Sequence, residues 1–183
     1  ISFPSIGDKL ATDTLELAAT ASSGLGVSFR VASGPALLAD GTNLTFTGAG
    51  VVSVVASQAG DDNWNPALDV TNTFTVSKAM QTTLAFAPAS PQTYNTTNAL
   101  SITGGSGTGT VSYAVNSGPG EIVGVDGLKA TSGTGEIVVE ATKAADDLYL
   151  AQAATATVVV QKAGQTISFP SIGDKLATDT LEL

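Results

Sequence analysis

Gly48–Trp64 reads GAGVVSVVASQAGDDNW, and Val52, Val54 and Ala56 fall in it at alternate positions. The stretch returns in altered form at Gly133–Tyr149, GTGEIVVEATKAADDLY. There Ile137, Val139 and Ala141 make the alternating apolar set, and Glu136 and Glu140 fall on the other face. A period of two belongs to a strand with one face buried and one in water. Both copies therefore predict such a strand, followed by a turn at the Asp-Asp pair.

The neighbours of this stretch repeat too. VSFRVASGP at Val27–Pro35 matches VSYAVNSGP at Val111–Pro119, and VSKAMQT at Val76–Thr82 matches VQKAGQT at Val160–Thr166. The two halves of the chain are siblings. On top of this lies a letter-for-letter repeat: ISFPSIGDKLATDTLEL occupies Ile1–Leu17 and again Ile167–Leu183. Repetition at a fixed spacing marks a tandem array, and the chain reads as a window on a longer one. Its units are 1–80, 81–164 and the opening of a third at 165–183, each long enough to enclose a small core.

Further alternation fills each unit. Leu15, Leu17, Ala19 and Ala21 share a face; so do Val27, Phe29 and Val31, then Leu44 and Phe46, then Val70, Phe74 and Val76. In the second unit Val111, Tyr113 and Val115, and later Val158 and Val160, follow the same scheme. Turn signals such as SSGLG, SGP, ADGTN and DDNWNP separate the runs. No segment carries a capped helical period. About seven short strands per unit predict an antiparallel β-sandwich, with a small barrel as the competing architecture.

Composition removes several classes of function. There is no cysteine and no histidine, so zinc fingers, thiol nucleophiles, disulfides and histidine-dependent catalysis are all excluded. Sixteen acidic against seven basic residues leave a net charge of -9. Such a surface repels phosphate, so neither nucleic acid nor an anionic membrane is an expected partner. No apolar run reaches the roughly 20 residues needed to span a bilayer, and no signal peptide is visible. An apolar share of 43% is ample for a core, which argues against disorder.

Taken in order, ATASSGL, VSFRVASGPA, GAGVVSVVASQAGDDNWN and the closing FTVSKA resemble the bacterial immunoglobulin-like repeats of very large surface proteins. ITGGSGTGTVSY and SGTGEIVVEATKAADDLYL are similar to a sister class of the same repeats. The resemblance implies an all-β chain of tandem immunoglobulin-like antiparallel β-sandwiches arranged as an elongated rod, outside the cell. It implies no catalytic residues, so no enzyme activity is expected.

Three sites invite chemistry. Asp61, Asp62 and Asn63 cluster in one turn, echoed by Asp146 and Asp147, and oxygen ligands at that density suit Ca²⁺. Carboxylates that bond their own backbone in a turn explain the cluster equally well. No other cofactor is expected. Trp64 and Tyr149 hold equivalent places after the Asp-Asp pairs. They read as aromatic plugs buried at the end of each sandwich, or alternatively as platforms on which a sugar stacks. The joints VSKAMQTTLAF and VQKAGQTISF lack any glycine-serine or proline-rich spacer, so little swivel is expected. The functional expectation is a structural segment of a bacterial fibre or stalk, partnered by itself end to end and side by side. The alternative is an adhesive, glycan-binding module. The segment Ile167–Leu183 is expected to pack against the second unit in the conformation of Ile1–Leu17.

Overall fold

A computed structural model describes residues 1–169, 171, 173 and 174. Among these residues there are sixteen strands and no helix, and so no helix that could cross a membrane. The first seven strands are β1 (Lys9–Leu10), β2 (Thr14–Glu16), β3 (Ser28–Ser33), β4 (Ala36–Ala39), β5 (Asn43–Phe46), β6 (Gly50–Gln58) and β7 (Ala67–Ser77). They form a four-stranded sheet, β1-β7-β6-β3, and a three-stranded sheet, β2-β5-β4. Leu44 and Phe46 from one sheet meet Val52, Val54, Phe74 and Val76 from the other in a single buried cluster. These are the alternate residues that the sequence assigns to the inner face.

The second sandwich repeats the plan. Its strands are β8 (Leu84–Ala85), β9 (Gln92–Thr93), β10 (Thr97–Ala99), β11 (Thr103–Gly104), β12 (Val111–Ser117), β13 (Gly120–Val123), β14 (Gly127–Ala130), β15 (Glu136–Lys143) and β16 (Gln152–Gln161). Sheet β9-β16-β15-β12 faces sheet β10-β14-β13, while β8 and β11 make a short ladder of their own. Leu128, Ile137, Val139 and Val158 are fully enclosed between the layers. The matching ladder in the first sandwich is reduced to one bridge, Ser2 with Thr20. The chain is thus an all-β tandem of immunoglobulin-like sandwiches, and the barrel alternative falls away because the core of each unit lies between two separate sheets.

Two features depart from a purely antiparallel scheme. β1 runs parallel to β7, and β9 parallel to β16. In both sandwiches the entering segment therefore touches one sheet first and then crosses to the other. A phenylalanine fixes that entry: Phe3 lies 5.3 Å from Phe29 between ring centroids, and Phe86 lies 5.8 Å from Tyr113. Burial pushes the Tyr113 phenol up from its ordinary value, with the charge of Asp126 adding to the effect. Asn72 holds the same entry in the first unit, its Nδ2 donating to the carbonyl of Pro4 at 2.8 Å.

The SGP motif shared by the halves has a steric reason. Gly34 and Gly118 adopt φ of 100° and 91°, where a side chain is strained. A Cβ on Gly34 would also fall 2.3 Å from the carbonyl oxygen of Val51.

The expectation for Ile167–Leu183 falls largely outside the described residues. Of those described, Ile167 is 93% and Phe169 71% exposed, whereas Ile1 and Phe3 are half-buried. Phe29 covers Phe3, and no described residue covers Phe169.

Candidate functional site

The two Asp-Asp turns share one backbone geometry. Asp61 Oδ1 accepts from the N–H groups of Asn63 at 2.8 Å and Trp64 at 2.9 Å, while the Asp61 N–H donates to the Trp64 carbonyl at 2.9 Å. Asp146 does the same with Leu148 and Tyr149, at 3.0 and 2.8 Å. Its other oxygen also accepts from the Thr108 amide and hydroxyl. The Thr108 amide holds the Asp146 carboxyl below the usual carboxylate range; desolvation opposes this, and the Tyr149 and Leu148 amides and the Thr108 hydroxyl reinforce it.

These bonds make the carboxylates turn formers. Asp61, Asp62 and Asn63 are all exposed, and among the described residues no three acidic side chains converge as metal ligands would. A cation at Asp61 Oδ1 would have to compete with two amides.

Trp64 corrects the expectation of a buried plug, since it is 52% exposed. Tyr149 is half-buried. The difference lies in what each turn meets. The turn carrying Tyr149 abuts the first sandwich at Ala79, whereas residues 61–66 around Trp64 are all exposed.

That contact is the most elaborate feature between the units. After β7 the chain passes through Lys78–Thr83 before entering β8. Ala79, only 6% exposed, pairs with Tyr149 as a parallel bridge. Its N–H donates to Leu148 O at 2.8 Å, and its carbonyl accepts from Leu150 N–H at 2.9 Å. Leu148, whose carbonyl takes the first of these bonds and which belongs to the second unit, packs against the core cluster of the first. Gly48 is buried beneath the same turn, and a Cβ placed there would lie 3.7 Å from the Cβ of Asp147.

Gln81 completes the joint. It is 6% exposed, and its Nε2 donates to Leu150 O at 2.8 Å and Ala144 O at 3.2 Å. Gln152, its amide oriented to donate, reaches Gln81 O at 2.9 Å and Thr82 O at 3.1 Å. Each such bond is worth about 0.5–1.5 kcal/mol net, and leaving a buried partner unmade costs about 1–3 kcal/mol. The chemistry available here is recognition of one sandwich by the next.

No protein-family model matches the chain, and no curated protein does either. Among solved structures the chain is similar to human mucin-like protocadherin EC1-2, at 11% identity over 86% of this chain and 94% of that one, with a TM-score of 0.37. It is also similar to the extracellular cadherin domains 3–6 of protocadherin gamma B2, at 12% identity over 90% of this chain and 50% of that one, TM-score 0.41. A titin I-band fragment matches at 15% identity over 88% of this chain and 63% of that one, TM-score 0.32. Likenesses this weak carry no argument about role.

Proposed function

We propose that this chain is part of the shaft of an extracellular bacterial fibre or surface-protein stalk. Tandem sandwiches supply its length, stitched joints its stiffness, and outer faces poor in charge its side-by-side packing. The observation that carries this reading is the joint at Ala79, where backbone pairing, the seated Leu148 and the buried Gln81 remove the slack of an ordinary linker. Units that contact only their neighbours give a quasi-linear array whose stability adds along its length. Negative-stain microscopy of the native full-length protein tests this. Straight particles with a regular axial repeat of one or two sandwiches are expected. Beads at variable angles would overturn it.

The exposed indole of Trp64 favours a second reading, a module that stacks on glycans. That reading requires saturable glycan binding that Trp64→Ala abolishes while the circular dichroism spectrum stays unchanged.

A further inference from the structure

The joint at Ala79 has a counterpart at the far end of the second sandwich. Ala163 holds there the place of Ala79, Gly133 that of Gly48, and Gln165 that of Gln81. Tyr94 holds that of Ala11, each donating its N–H at 2.8 Å to the residue that follows the paired valine on the last strand, Gln161 and Ser77 respectively. At the first end these positions are covered: Ala11, Ala79 and Gln81 are buried, and Gly48 lies under Asp147. At the second end Tyr94, Ala163 and Gln165 are exposed and, with Gly133, Thr134 and Lys162, line an open groove of about 500 Å³.

We infer that this groove receives the Asp61–Asn65 turn of another copy of the first unit. Three observations converge on that occupant. The stretch that follows the groove, Ile167–Leu183, repeats the first seventeen residues, so the unit it opens is of the first kind. The Asp61 turn has the hydrogen-bonded form of the Asp146 turn that fills the equivalent groove. The sizes also exchange. Where the first end has the small Ala11 and receives Leu148, the second has the large Tyr94 and receives Asn63, the residue aligned with Leu148. Trp64 then lies where Tyr149 lies, against the preceding sandwich. The N–H of Ala163 donates to the carbonyl of Asn63, and the Gln165 amide to the carbonyls of Ala59 and Asn65. The two grooves thus differ in shape, so that first and second units alternate and neither kind follows itself.

The inference rests on the tandem-array reading of the chain, and its test can be scored apart from that reading. The protein has no cysteine of its own, so the 183-residue chain lengthened after Leu183 by a second copy of residues 18–164 accepts clean disulfide trapping. Gly48→Cys with Asp147→Cys serves as the control, since its Cβ separation of 3.7 Å suits a disulfide. Gly133→Cys in the first copy with Asp62→Cys in the second probes the new joint. Both pairs are expected to lose their free thiols fully on mild oxidation. Gly48→Cys with the second copy's Asp62→Cys is expected to stay open. A control that closes while the Gly133–Asp62 pair stays open overturns the inference, as does capture by Gly48 instead.

A cysteine-free readout is available as well. Trp64→Phe in the first copy leaves the second copy's indole as sole reporter. It is expected to emit at shorter wavelength and to quench less with acrylamide than Trp64 of the single-copy chain; identical spectra would overturn the proposal. Closure of the new pair in a protein whose native particles are not straight shafts would retire the shaft reading and leave the joint standing.

Discussion

Gln92 is the most deeply enclosed polar side chain described, at 1% exposure. Its Nε2 donates to Leu128 O at 2.7 Å and Thr96 O at 2.8 Å, pinning β9 to the opposite sheet, while its Oε1 has no partner. Gln92→Ala removes both of these hydrogen bonds and leaves a void. Urea denaturation is expected to show the second sandwich losing about 2–4 kcal/mol. Asp146 gives a pH signature. Its folded-state pKa is depressed, so it stabilises the fold fully above the ordinary carboxylate value near 4 and loses that effect as pH falls through the lower, folded value. Asp146→Asn presents an amide to the Thr108 N–H. Thermal melts should therefore separate the variant from the parent at neutral pH, and the gap should narrow below about pH 4. Neither Gln92 nor Leu148 was legible in the sequence, because each acts through a contact with residues far along the chain. The one available hint was the exchange of Asn63 for Leu148 between aligned turns.

At the scale of strands, legibility followed length. β6, β7, β15 and β16 carry eight or more residues each, and their alternation announced both register and inner face. β1 and β9 hold two residues apiece, too few for a period to appear, so their parallel pairing surfaced only in three dimensions. The plug expectation failed at Trp64 for a related reason: it assumed that a turn seals its own sandwich, when Tyr149 abuts the neighbouring one. The connecting segment is itself an element with a testable role. Ala79→Pro removes the N–H that Leu148 O accepts. Small-angle scattering of this variant is expected to require a spread of angles between the sandwiches, where the parent fits a single one.

For the whole molecule, the consequence is coupling. Leu148→Ala alters the second unit's chain yet thins the core of the first. Amide exchange in β5 and β6 should accelerate by the equivalent of about 1–2 kcal/mol, less than the 2–5 kcal/mol typical of a fully enclosed leucine. An unchanged exchange rate there would mean that the two cores are independent. The parallel pairs β1–β7 and β9–β16 carry a different implication. In each sandwich a two-residue strand near the start of the unit lies beside the strand by which the chain departs, and both head the same way. Tension along the chain must then slide one past the other, rupturing their hydrogen bonds together instead of peeling them singly. The load on such a molecule is carried by two pairings of only two residues each.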